Sequence, residues 1–261
     1  MAGAAAGKKA GGRGLRWLLP WAGLLAVGLL WWAGSVALTA RTPIAAAFAP
    51  WPTFQALAGL VTGADIWHHT LLSLQRVGVG LALAIGFGVP LGVATGLWRG
   101  FAQATGPVFQ FLRMISPLSW MPIAVMVLGV GDAPVYFLLA FAAVWPVLLS
   151  TAAGVAQLDP NWLLLARSVS ATGRETVWRV ILPGITAQIL TGVRLAIGII
   201  WIVLVPAEML GVSAGLGYFI LDTRDRLAYS ELMAAILLIG ALGFLLDHLA
   251  RWVHARWLHS S

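Results

Sequence analysis

The chain contains no cysteine, which excludes disulfides, thiolate metal sites and a cysteine nucleophile together. Charge is also scarce: Asp, Glu, Lys and Arg make up 10% of the 261 residues, and only 9 residues are acidic. That leaves little material for acid–base or metal chemistry. His68-His69 is too isolated a pair to define a metal site. No Ser/His/Asp arrangement and no HExxH helix is present. Gly3-Ala4-Ala5-Ala6-Gly7-Lys8-Lys9 superficially resembles a phosphate loop, but its spacing is one residue short and no Ser or Thr follows the lysine. Neither ATP hydrolysis nor chemistry on a substrate is expected of this chain.

What the chain does have is apolar surface. It is 60% hydrophobic, its mean hydropathy is +0.91 and it carries 14 Trp. A soluble fold of this length could not bury so much, so lipid is its main solvent. The formal charge of +7 does not point to nucleic acid, because the basic residues are scattered between apolar runs, as in the loops of a multispanning protein. An all-α polytopic bundle is expected.

Residues 1–16 read as a basic flexible arm, with Lys8, Lys9, Arg13 and Arg16 among Gly and Ala. A basic start before an apolar run also describes a signal peptide, but 17–39 is long enough to span and is read as a retained anchor. The anchor and an external loop occupy 17–66, and the core of the bundle occupies 67–256. Six spans are expected at 17–39, 70–97, 107–130, 133–156, 184–206 and 231–251. A cytoplasmic N-terminus places Lys8, Lys9, Arg13, Arg16, Arg99, Arg167, Arg174, Arg179, Arg251 and Arg256 inside, with Arg41, Arg224 and Arg226 outside. Six spans return the C-terminus to the cytoplasm. In the second span Gly88, Gly92 and Gly96, and also Gly78, Ala82 and Gly86, form small-residue ridges suited to helix contact.

The connector 157–183 is too long for a turn. Asp159-Pro160 is a helix start, followed by an amphipathic stretch from Asn161 to Ala171. Thr172-Gly173-Arg174-Glu175 matches a capping box, and Pro183 should end the second helix near Leu182. Two short amphipathic helices at a membrane face can grip a partner or rest on lipid headgroups.

Leu165-Ala166-Arg167-Ser168 with Trp178-Arg179-Val180-Ile181-Leu182-Pro183 resembles the coupling loop of importer permeases in the ATP-binding cassette (ABC) superfamily. Leu164 and Ser170 stand where that family usually has Glu and Gly. Two further stretches are similar to the nitrate/sulfonate/bicarbonate (taurine) branch. One runs from Arg113-Met114-Ile115-Ser116-Pro117-Leu118-Ser119-Trp120-Met121-Pro122 to Gly129-Val130-Gly131-Asp132. The other is Leu190-Thr191-Gly192-Val193-Arg194, with Ala207-Glu208-Met209-Leu210 and Gly215-Leu216-Gly217-Tyr218.

The resemblance covers roughly 67–251. It implies a MetI-like permease core and an importer of a small anion by alternating access. The chain would work as a homodimer in a bacterial inner membrane, with two ABC ATPases and a periplasmic or lipid-anchored binding protein. ATP and Mg would be bound by the ATPase. It also implies roles for Leu164, Ala166, Arg167, Ser168, Ser170, Gly173, Arg179, Leu182 and Pro183 in coupling to that ATPase. Asp222, Arg224, Asp225 and Arg226 make a polar outer surface, either a docking face for the binding protein or a solvated loop. A secondary transporter without an ATPase is the alternative, though no internal repeat supports it.

Ionisable groups inside spans are functional candidates by default. Arg113 and Arg194 either line a pathway or pair structurally. Arg76 is expected to snorkel to the outer interface. Glu208, just after Pro206, either lies at a broken helix or pairs with an arginine, and Asp247 is placed to pair with Arg251. Pro117 and Pro122 should bend the third span, with Ser116 and Ser119 bonding the freed carbonyls. Trp120 and Met121 form either an apolar gate or ordinary packing.

Overall fold

The computed structural model describes residues 12–258, with side chains described for 21–256. Most of the basic arm lies outside these residues, but from Gly12 onward it is already helical, so the first helix starts earlier than expected. Every regular element among the described residues is helical. In chain order these are α1 (Gly12–Thr39), a 3₁₀ turn (Pro43–Phe48), α2 (Pro50–Thr62), α3 (Asp65–Leu97) and α4 (Arg99–Met114). A second 3₁₀ turn (Pro117–Trp120) is followed by α5 (Met121–Leu128), α6 (Asp132–Ala156), α7 (Pro160–Ser168) and α8 (Gly173–Thr176). A π turn (Val177–Ile181), α9 (Leu182–Gly184), α10 (Thr186–Gly211), α11 (Leu216–Asp225) and α12 (Tyr229–Leu258) complete the chain. Among the described residues five helices are long and apolar enough to cross a membrane: α1, α3, α6, α10 and α12.

The expected third span, 107–130, is not one helix. Residues 99–114 and 117–128 form a pair bent by 88°. The physical reason is local. Pro117 has no N–H to donate and disfavours helical geometry at Ser116, which adopts φ −58°, ψ 129°. Pro122 falls in the first turn of α5, where a missing donor costs nothing. Neither Ser116 nor Ser119 uses its hydroxyl to repair the break. Both are exposed, and the only bond between them joins the Ser119 N–H to the Ser116 carbonyl at 3.0 Å.

α3 and α6 run side by side and form the centre of the bundle, with α10 against both. Their close approach is set by the ridge Gly80, Ala84, Gly88, Gly92 and Gly96 on α3. A Cβ on Gly80 would lie 2.6 Å from Leu139 Cβ, and one on Gly92 2.6 Å from both the Leu148 carbonyl oxygen and Thr151 Cβ. The other expected ridge does not serve this purpose: Gly78 and Gly86 face open space, because they lie on the opposite face of α3. Ala84, Val135, Leu138, Leu139, Ala143, Val147, Ile200 and Leu204 fill the middle. A second core, with Ile66, Leu216 and Phe219, ties α11 and α12 to the start of α3. A third, with Val93, Val155, Ile181 and Ile185, seats the connector under the opposite end.

Candidate functional site

Four features carry the chemistry, and the first is a buried ionic knot. Arg76 does not snorkel. Its guanidinium is enclosed, donating from Nε to Asp132 Oδ1 at 2.8 Å and from Nη1 to Glu208 Oε1 and the Ala214 carbonyl, both at 2.6 Å. Glu208 is 0% exposed and also accepts from Ser73 Oγ (2.7 Å) and the Gly217 N–H (2.8 Å). Ser73 Oγ in turn accepts from the Leu216 N–H at 2.8 Å, and His69 Nδ1 from the Gly215 N–H at 2.9 Å. The two buried charges, the Ala214 carbonyl and the N–H groups of Gly215, Leu216 and Gly217 thereby find partners within the protein, as burial requires. Gly215 is obligatory here: its φ is +127° and a Cβ would fall 2.6 Å from the Glu208 carboxylate. Of the two readings of Glu208, the structure realises the arginine partner. Ser73, His69 and Asp132 escaped sequence reasoning. The i,i+3 spacing of Ser73 and Arg76 on α3 was the available signal.

The second feature is the groove beside the broken span. Arg113, in the last turn of α4, is exposed and lines a cavity of about 440 Å³ with Ile115, Pro117, Ala142, Trp145, Pro146, Leu149, Ser150, Leu195 and Ile199. Trp145 on its lining ends an aromatic ladder on α6. Phe137, Phe141 and Trp145 follow at i, i+4, i+8, and Trp120 (5.7 Å from Phe141) and Phe109 (5.9 Å from Trp145) close onto it from the broken span. Ser116 is exposed at the break, whereas Met121 is buried against Gly211. Arg194 lies apart from this groove, half-buried against α12 with Nε 3.7 Å from Asp247, which also pairs with Arg251. The residues expected along one pathway therefore separate into four places: Arg113, Ser116, Pro117 and Trp120 at the break, Met121 buried against Gly211, Glu208 in the knot, and Arg194 facing α12.

The third feature is the connector. Asp159 caps α7, accepting from the Asn161 N–H at 2.9 Å. The helix ends at Ser168, short of the expected Ala171, in a Schellman turn. The Ala171 N–H reaches the Ala166 carbonyl at 2.9 Å and the Ser170 N–H reaches Arg167 at 3.0 Å. Ser170 has φ +54°, the left-handed conformation glycine adopts most easily. Thr172 and Glu175 complete the capping box, with the Glu175 carboxylate accepting from the Thr172 N–H at 2.9 Å. That backbone bond, the Thr172 hydroxyl and the nearby Arg179 charge hold the Glu175 carboxyl below its ordinary range. Pro183 does not stop the second helix, which continues through Gly184. A π turn over Val177–Ile181 widens the helix ahead of it, relaxing the ladder that a proline would otherwise break.

The two helices leave a cleft of about 870 Å³ lined by Trp162, Leu165, Ala166, Val169, Glu175, Arg179 and Pro183 among others. Arg167, Arg174, Gly173 and Trp178 line a second of about 660 Å³. Trp162, Leu164, Leu165, Val169 and Trp178 are each more than half exposed, Ser168 is exposed, and Ala166 and Leu182 anchor the unit inward.

The fourth feature is the turn after α11, at the opposite end. Arg226 pairs with Asp222 at 2.8 Å and lies 3.6 Å from Glu231, and Arg224 pairs with Asp225 at 2.9 Å. Leu227 follows at φ +59°, exposed, closing a second Schellman turn with a residue that pays strain for the conformation.

Membrane-length helices, one bent pair and an exposed connector define a polytopic membrane protein. The comparisons make this specific: residues 88–259 match the family of binding-protein-dependent transport system inner membrane components, and the chain belongs to that family. It is 36% identical over 195 residues to the bicarbonate transport system permease protein CmpB of Synechococcus elongatus, covering 74% of this chain and 69% of that one. It is 33% identical over 198 residues to the nitrate import permease protein NrtB of Leptolyngbya laminosa, covering 76% and 71%. The taurine transport system permease protein TauC of Escherichia coli is 33% identical over 233 residues, covering 86% and 83%. In fold the chain is similar to an inward-facing structure of the MetNI methionine ABC transporter (TM-score 0.61, 14% identity, 80% of this chain and 97% of that one). The chain is thus a multi-pass ABC importer permease of the nitrate/sulfonate/bicarbonate branch. These relatives set aside the ATPase-free secondary transporter.

Proposed function

We propose that this permease imports a small anion, such as nitrate, bicarbonate or a sulfonate like taurine, by alternating access driven by a separate ATPase. The observation that carries the coupling is the connector. It exposes five large apolar side chains beside two clefts, one bordered by Arg179 and the other by Arg167 and Arg174, an arrangement expected of a protein-binding surface. On this reading Leu164, Ala166, Arg167, Ser168, Ser170, Gly173, Arg179, Leu182 and Pro183 form or support the contact with the ATPase, which binds ATP and Mg. Two permease chains and two ATPases make the complex. Both termini and the connector face the cytoplasm, a placement supported by the excess of Lys and Arg at that end.

A binding protein delivers the solute at the opposite end. The paired charges Asp222, Arg224, Asp225 and Arg226, with the exposed Leu227 beside them, are its docking surface. Strain held at an exposed apolar residue has no stabilising return within the chain, which supports a role in contact.

The coupling is tested by Arg167→Glu and Arg179→Glu in a tagged chain. The expected result is normal membrane insertion with lost ATPase co-purification, or ATP hydrolysis uncoupled from transport. Normal transport by both variants refutes the reading. So does a wild-type chain that captures no ATPase even after crosslinking.

A further inference from the structure

We propose that the groove between the broken third span, α6 and α10 is a binding site for a small monovalent oxyanion, with Arg113 as its charge. This rests on the permease reading, since only a transported solute would come to this face.

The first argument is charge accounting. Arg76 is matched by Asp132 and Glu208, and Arg194 by Asp247. Arg113 has no ion pair and no hydrogen bond among the described residues. The second is depth. Arg113 lies 14 residues into α4, about 21 Å along that helix, and lines the groove with Trp145 and Ile199. Trp145 sits near the middle of the 25-residue α6, about 17 Å from one end and about 20 Å from the other. With the ends of α6 taken as the interfaces, neither is within the length of an arginine side chain, so snorkelling does not supply the missing partner.

The third argument is the donor set. The groove holds no Asp or Glu. Besides Arg113 its polar side chains are Ser150, which makes no hydrogen bond among the described residues, and Trp145, whose indole N–H has no acceptor. A guanidinium and a hydroxyl flanked by apolar residues can stabilise an oxyanion, and without a carboxylate the guanidinium repels a cation. Only one positive charge is present, so a polyanion would be left uncompensated in apolar surroundings. A single delocalised charge on a small oxyanion matches the guanidinium fork.

The absence of cysteine makes the test direct. Ser150→Cys places the chain's sole thiol in the groove of the complete permease–ATPase complex. Two methanethiosulfonate reagents, one bearing a sulfonate and one a trimethylammonium, are compared by the mass shift of the permease chain. The sulfonate reagent should react about tenfold faster, the scale of electrostatic steering by an unpaired charge. Nitrate should slow it, Arg113→Gln should abolish the preference, and Arg113→Lys should keep much of it. A preference that is absent, or unchanged in Arg113→Gln, overturns the site. A thiol unreactive to both reagents with and without ATP also overturns it, because an unreachable site cannot bind a passing ion. Co-purification of the ATPase with Arg113→Gln keeps the two readings separable: if the ATPase is retained while the charge preference fails, the site falls and the permease reading stands.

Discussion

Replacing Arg76 by leucine should be among the most damaging single substitutions in the bundle, and the knot allows its cost to be worked out. Glu208 would remain at 0% exposure with only Ser73 Oγ and the Gly217 N–H for its charge, and the Ala214 carbonyl would lose its donor. Breaking a buried pair from one side costs about 3–5 kcal/mol. Glu208→Gln should cost less, about 1–3 kcal/mol, the price of imperfectly remade hydrogen bonds. The reason is that Arg76 keeps Asp132, whose side chain is 48% exposed and therefore cheap to leave ionised. Removing both partners, as Arg76→Leu with Glu208→Leu, should cost less than the sum of the single leucine variants by about 2 kcal/mol, within the range of coupling for residues in one network. Thermal unfolding in detergent, followed by the fluorescence of the 14 tryptophans and by circular dichroism, is the assay. On the scaling for chains of this size, Arg76→Leu should lower Tm by about 6–20 °C. An Arg76→Leu loss no larger than that of Glu208→Gln, or strictly additive leucine variants, would refute the account.

Other outcomes follow from the connector and the helix contacts. Ser170→Gly should stabilise the chain by about 1 kcal/mol, because glycine occupies φ +54° without the Cβ penalty, and should leave ATPase binding intact; unchanged or lower Tm would contradict the Schellman geometry. Gly92→Ala should destabilise by about 1–3 kcal/mol, since its Cβ would meet the Leu148 carbonyl and Thr151, whereas Gly78→Ala, facing open space, should be neutral. The depressed Glu175 carboxyl contributes stability above the ordinary carboxylate range, and this is lost as pH falls through its folded value. Acid should therefore fray the start of the second connector helix first, and Glu175→Gln should remove that pH dependence when amide exchange is measured there. Leu227→Gly should raise Tm yet weaken capture of the binding protein; a gain in both would argue against a docking role.

Membrane residence, five of the six expected spans in their order and the two connector caps could be read from sequence because each depends on local composition or spacing. An apolar run of sufficient length has only lipid to go to, and Asp159-Pro160 or Thr172 to Glu175 satisfies helix ends within a few residues. The branch was equally legible from contiguous motifs. Pairings across the fold were not. Arg76 and Glu208 are 132 residues apart, and no periodicity says whether a charge inside a span faces lipid, a groove or a counter-ion. Only the tertiary structure separated Arg76, Arg113 and Arg194, three arginines alike in sequence context. It enclosed the first with two carboxylates, set the third against Asp247, and left the second in a mainly apolar groove lined by no carboxylate. The reason is that a buried charge takes its meaning from what surrounds it in space, and helix packing, rather than helix formation, decides those surroundings.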